Sequence, residues 1–388
     1  MDPRSRAGKF GVVTVRTRRQ RTLRLDSLDM AHPKERSRAL KENAGVLWEP
    51  NSIELTAVTP FETLVLQPGT SVVTPGGVVA PSGVSPFDQS YVPIVWAEAP
   101  LGGKQQKAVQ HGQKRTPRRC RFCHRSEPAV SFKSKAHVLP QGLGNRAHLT
   151  WEECDECNQS VGSPLEDDLL KFLGPHRSMM PFPTKAGGSK HKTKRSSIAS
   201  KSDGVPPITV SIFEGDPSVK VTRLSNHRLQ FEIDTQPYRP MGVAKAVARM
   251  ALALMPKEKL DGYDYVREWV RGEVETKPRL TMIHIPGPGA AKLGLWVFEQ
   301  REQLIGQSPL VACLYFGGLV LFWHAPTPSL ETPPKPLLPR MPPSPYPPHV
   351  YGATSWIVTS DAKIAPKQTI EMGYGSMTEQ VAKTKQGP

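Results

Sequence analysis

The chain has 388 residues, enough for about two or three domains, but 38% hydrophobic content with 40 prolines and 31 glycines excludes a single continuous core. A formal net charge of +16 and a pI near 9.7 point to polyanionic partners, nucleic acid first, unless basic tails alone carry the surplus. Five cysteines over this length exclude a disulfide framework.

The first residues, MDPRSRAGKFGVVTVRTRRQR, contain arginines but no apolar segment, so they do not read as a signal peptide. Residues 1–115 show no sustained helical period. Short apolar pieces such as LVL and VVTPGGVVAP alternate with prolines and glycines, and the region is expected to be mostly disordered, with a few weak strands. Residues 116–180 hold all the metal-type side chains. Residues 181–204, with the Lys- and Ser-rich run TKAGGSKHKTKRSSIASKSDG, read as a flexible basic linker.

After the linker the pattern changes. ITVSIFEG and RLQFEID alternate as half-buried strands, with Leu229, Phe231 and Ile233 on one face. MGVAKAVARMALALM places Ala244, Val247, Ala248, Ala251 and Met255 at helical spacing, with Lys245 and Arg249 on the other side. YDYVREWVRG is a second helix, and RLTMIHI and GLWVFEQ return to strands. PLVACLYFGGLVLFWHA, residues 309–325, is the most apolar run. It is short for a membrane span and is broken by Gly317-Gly318, so two buried strands joined by a Gly-Gly turn fit it better. Residues 205–325 are thus expected to be a separate α+β domain, and the proline-rich residues 326–388 a polyproline-like tail.

The chemistry concentrates in two C-x-x-C pairs, Cys120/Cys123 and Cys154/Cys157. Two such corners satisfy tetrahedral zinc, whereas one alone would leave a redox pair open. CRFCHRS makes a tight knuckle, AVSFKSKAHVLP is strand-like, and the second pair opens a helical segment. Knuckle, hairpin and helix around one ion is a treble-clef arrangement.

In this order CRFC, KAHVLPQGLGN and ECDECNQSVGSPLE resemble an HNH nuclease module. The closest subgroup has C-x-x-C, then a histidine before an aliphatic-x-Pro, then C-x-x-C-N. The resemblance covers residues 120 to about 175. It implies a zinc-stapled ββα-metal fold, a divalent ion such as Mg²⁺ or Mn²⁺ at the active site beside the structural zinc, and hydrolysis of phosphodiester bonds. By the same resemblance His137 activates water, and Asn158 holds the metal or orients its ligands. Asn145 positions the histidine, with His148 as a competing candidate. Ala136 departs from the pattern, since the wider family often carries Asp or Glu there as a metal ligand. Glu166, Asp167 or the substrate phosphate would then supply the missing oxygen. Glu166 has a competing role, because Ser163-Pro164-Leu165-Glu166 reads as a capping box that starts a helix at Ser163. Arg118, Arg119, Arg121 and Arg125 around the knuckle, with Lys133, are the expected phosphate contacts.

The expectation is therefore a cytoplasmic, metal-dependent HNH endonuclease acting on DNA, with no membrane association. The alternatives are a zinc-stapled nucleic-acid-binding module without catalysis, or a regulatory protein that uses the module as scaffold.

Overall fold

In a computed structural model the described residues are 86–100, 108–178 (except 113 and 115), 180, 188–200, 208–284 (except 214, 226–227 and 277), 290–302, 307–326 (except 318), 354–357 and 360–373. Strands are also described at 14–17, 22–24, 53–57, 73–74 and 77–78. The chain divides into two compact units. One comprises residues 63–172 and 237–364, and the other residues 1–62, 173–236 and 365–388. The architecture is mixed α+β.

The first unit holds the cysteine-rich region. Its elements are α1 (Pro86–Ser90), β1 (Tyr91–Pro100), β2 (Val109–His111), β3 (Ala136–His137), β4 (His148–Thr150), α2 (Asp155–Cys157), α3 (Ser163–Phe172), α4 (Pro240–Leu254), α5 (Lys257–Leu260), α6 (Asp264–Arg271), β5 (Arg279–His284), β6 (Ala290–Gln300), β7 (Leu310–Gly317), β8 (Leu319–His324) and β9 (Thr354–Ile357). An antiparallel six-stranded sheet runs β9-β5-β8-β7-β6-β1. The apolar run 309–325 forms β7 and β8, buried along almost their whole length, and the chain reverses at Gly317 with φ +61. Phe87, Tyr91, Trp296, Cys313 and Phe322 pack together on one face of this sheet. Trp269 of α6 stacks on Trp323 of β8, with ring centroids 6.1 Å apart.

Helix α4 starts with Pro240 at its first position and stops at Met255, whose extended backbone (φ −56, ψ 144) suits the residue before Pro256. Nearly every residue of α4 is buried, including Arg249 at 4% exposure. This corrects the amphipathic reading that left Arg249 on the solvent side. The cysteine-rich region clamps α4 at three points. Asp168 of α3 accepts from the Arg239 amide (3.0 Å) and its guanidinium (2.8 Å) at the amino end. Glu153 holds Arg249 at the middle (2.6 and 2.7 Å). Arg121 donates to the carbonyls of Leu252 (2.6 Å), Ala253 (2.7 Å) and Met255 (3.2 Å) at the carboxyl end. Gly242 lets α3 and α4 approach, since a Cβ there would lie 2.1 Å from Asp168 Oδ2. The expected separate domain over 205–325 is therefore divided. Its residues from 237 onward share a unit with the cysteine-rich region.

In the second unit, strands Lys190–Lys192, Ser197–Ser200 and Ile208–Ile212 form an antiparallel sheet that continues through Ile53–Ala57, Thr14–Thr17 and Thr22–Arg24. Val219–Ser225, Arg228–Asp234 and Lys367–Gly373 form a three-stranded sheet. Ile198, Val210, Phe231, Ile233 and Ile370 make the core of this unit.

Three expected boundaries move. Part of the expected basic linker, 188–200, is a hairpin with His191 and Ile198 buried; Lys190 and Lys192 flank His191 on the exposed side, and small polar Ser189, Ser196 and Ser200 are buried where apolar residues would have shown the strand pattern. β1 comes from the stretch 1–115. β9 and Lys367–Gly373 come from the stretch 326–388, where Ile370 is a core residue behind the prolines. The rest of the disorder expected for 1–115 and 326–388 falls on residues outside the described ones. Among the described residues no helix is long and apolar enough to cross a membrane.

Candidate functional site

The site is built from a knuckle, a short hairpin and a helix. Cys120 and Cys123 bracket a tight turn closed by the His124 amide donating to Cys120 O at 3.0 Å, and His124 takes a left-handed backbone (φ 60). β3 and β4 pair antiparallel, His137 opposite Leu149, and β2 pairs parallel to β4. Helix α2 begins at Cys154, whose Sγ accepts from the Cys157 amide.

The four cysteine sulfurs lie within 4.8 Å of one another. Cys123 and Cys154 sulfurs are 3.8 Å apart, matching the edge of a tetrahedron of ligands at about 2.3 Å from zinc. Amides of Phe122 (3.4 Å) and Cys154 (3.5 Å) donate to Cys120 Sγ. The hydrogen bond from the Cys157 thiol, and then these amides, pull Cys120 down to about 4 against its burial. Burial pushes Cys154 up to about 12, and hydrogen bonding to Cys120 followed by burial drives Cys157 upward. Four thiols this close resist ionising together, and a divalent cation removes that conflict. The four thiols fit a metal ion, and such a set is consistent with structural zinc.

Asn145 is fully buried and works as a staple. Its Nδ2 donates to Leu139 O (2.6 Å) and His148 O (3.0 Å), and its Oδ1 accepts from the amides of Ala147 (3.0 Å) and His148 (2.9 Å). His137 is half-buried beside it, with Nδ1 3.5 Å from Asn145 Nδ2. Both Asn145 donors are spent on carbonyls, so Asn145 locates His137 mainly by holding the backbone around it.

His148 is engaged on both ring nitrogens. Nε2 faces the Glu98 carbonyl at 2.9 Å, so it carries the proton, and Nδ1 then accepts from His111 Nε2 at 2.9 Å. Its ring is thus a link between β1 and β2. Burial, then the neighbouring His148 and Arg121, lowers His111 to about 4. Burial and then Arg279 lower His324 of β8 to about 3. The unfolded chain therefore takes up these protons first, near the ordinary histidine value of about 6.5. Stability is expected to fall as pH drops from about 6.5 towards 4, before most carboxylates titrate. Melting temperatures recorded across that window check this, and a flat profile contradicts it.

The helical run does not start at Ser163. Ser163 sits mid-helix (φ −63, ψ −44), and residues Asn158–Gly162 form a π-turn that joins α2 to α3. Pro164 lacks the amide that a regular ladder needs, and a widened turn just before it absorbs the mismatch. The expected capping box is therefore absent, and the Ser163 hydroxyl donates to Asn158 O at 3.1 Å instead. Glu166 is half-buried in the first turn of α3.

Asn158 accepts through Oδ1 from Arg249 Nη2 at 3.3 Å. Arg249 and Glu153 were not singled out by sequence, although Glu153 directly precedes the second cysteine pair and Arg249 is one of two charges, with Lys245, in an otherwise apolar helix. Burial pushes the Glu153 carboxyl up, opposed by Arg249. Among the described residues, no second set of three or more His, Cys, Asp or Glu side chains is close enough to share an ion. Ala136 offers no ligand atom, and the Asn158 oxygen is already shared with a guanidinium. Among the described residues the expected Mg²⁺ or Mn²⁺ site is therefore not a preformed cluster of three or more His, Cys, Asp or Glu ligands.

Of the expected phosphate contacts, Arg119, Arg125 and Lys133 are exposed. Arg125 pairs with Glu156 at 2.5 Å. Arg118 is half-buried, pairs with Glu127 at 2.7 Å and lies over the Phe132 ring. Arg121 is corrected: it is 6% exposed, paired with Glu152 and spent on the end of α4. Arg121→Ala is expected to cost about 3–5 kcal/mol, because it strands a buried carboxylate and a helix end. Chemical denaturation measures this, and a loss below about 1 kcal/mol contradicts it.

No match was found among curated proteins or among solved structures. Residues 120–173 do match a family model, described as HNH endonuclease, and this segment carries the pattern of that family.

Proposed function

We propose that residues 120–173 act as an HNH-type endonuclease on DNA, with His137 as the general base and zinc in a treble-clef frame. The observation that carries this reading is the placement of His137. It stands half-buried on β3, located by the Asn145 staple, in the segment that matches the family. Water is a weak nucleophile at neutral pH, and a held imidazole takes its proton as it attacks phosphorus. The acting atom is Nε2, the ring nitrogen remote from Asn145. Exposed Arg119, Arg125 and Lys133 supply the phosphate-facing charge.

The second reading, a binding module without catalysis, draws on Ala136. Incubating the full chain with DNA and RNA of one sequence, with EDTA, Mg²⁺ or Mn²⁺ in parallel, separates the two. Cleavage of DNA supports the nuclease; salt-dependent binding with intact strands under every condition supports the binding module.

A further inference from the structure

By resemblance Asn158 stands where the family holds a metal or orients its ligands, but its surroundings point to another task. Arg249 reaches it from α4, outside the matched segment. The guanidinium is boxed on several sides. Glu153 takes Nε at 3.1 Å and Nη2 at 2.6 and 2.7 Å, and the Phe122 ring lies 5.8 Å from its central carbon. Gly162 leaves no spare room, since a Cβ there would come within 2.8 Å of Nη2. Arg249 and Glu153 are both buried, at 4% and 2% exposure. The fork therefore cannot swing away, and its Nη2 meets Asn158 Oδ1.

Guanidinium only donates. The Asn158 atom facing Arg249 must then be its oxygen, and the amide nitrogen, with two donors, occupies the other branch of the carboxamide. A carboxamide held this way suits an anion better than a cation. Ala136 agrees to the extent that it offers no carboxylate to a cation, and the one carboxylate on this guanidinium, Glu153, is already paired with Arg249. We infer that the Glu153–Arg249 pair is a positioning device that fixes Asn158 as a hydrogen-bond donor to a phosphate oxygen of the substrate. This rests on the nuclease reading for the identity of the substrate, while the donor role itself is tested by binding.

The probe is a fluorescent DNA duplex titrated in EDTA, where no cleavage is needed. Asn158→Ala is expected to weaken it about ten-fold, the size of one charge-assisted hydrogen bond. Asn158→Asp keeps an acceptor for Arg249 but has no donors, and is expected to lose at least as much, with no recovery in Mn²⁺. Arg249→Lys keeps the charge against Glu153 but not the fork that also reaches Asn158, and is expected to match Asn158→Ala. The apolar pair Glu153→Met/Arg249→Leu removes the device without stranding a charge, and zinc content with melting temperature reports whether it folds. Combining Arg249→Lys with Asn158→Ala is expected to weaken binding no further than either alone. Additive losses would show that Arg249 does not act through Asn158. Tighter binding or faster cleavage by Asn158→Asp in Mn²⁺ would make Asn158 a metal ligand and overturn the inference. Wild-type binding without cleavage would remove the nuclease reading and leave the donor role to be judged on these affinities alone.

Discussion

Cys154→Ser is expected to abolish metal binding at the four thiols and unfold the knuckle, the β3–β4 hairpin and the start of the helix together. The hairpin strands are two and three residues long, too short to hold by themselves. The residues that fold the segment are gathered around the four sulfurs, and structural zinc contributes about 10–16 kcal/mol in small folded peptides, comparable to the whole stability of a domain at about 5–15 kcal/mol. The damage should spread to α4, because Asp168, Glu153 and Arg121 clamp that helix from the same region. Metal analysis, limited proteolysis and circular dichroism of the variant check this. Retained zinc with an undisturbed melting curve would mean the thiols are not the staple.

His137→Ala is expected to lower the cleavage rate by roughly 10²–10⁴, the usual contribution of a positioned general base. Zinc content should not change, since the ion is held by thiolates. DNA affinity should change little, since it is summed over cations such as Arg119, Arg125 and Lys133. Asn145→Ala offers the contrast. It removes four bonds that close the loop between β3 and β4, so it should lower the melting temperature and the rate together. A rate loss with an unchanged melting temperature for His137→Ala, beside a combined loss for Asn145→Ala, separates the acting group from the staple that locates it.

The metal cluster was legible because C-x-x-C spacing fixes two bite angles locally, and β7–β8 because a Gly-Gly break between apolar runs has few other solutions. What escaped reading depends on long-range partners. Arg121 looks like its basic neighbours in the sequence, and only the approach of α4, more than a hundred residues on, buries it. Arg249 follows helical spacing toward the solvent side, yet Glu153 draws it inward. The hairpin at 188–200 was hidden by composition, as lysines and serines suit an edge strand as well as a linker. The capping box at Ser163 failed because the helix was already running from Cys154, so a local start signal met an element begun upstream.

Single-turnover cleavage of a supercoiled plasmid, run side by side with zinc-loaded wild type and His137→Ala, decides most directly whether this module is a nuclease. Nicking or linearisation by the wild type, with the variant at the level of buffer despite equal zinc and equal DNA binding, is the predicted result. Equal cutting by both proteins, or tight binding by a wild type that leaves the plasmid intact in EDTA, Mg²⁺ and Mn²⁺, would contradict it.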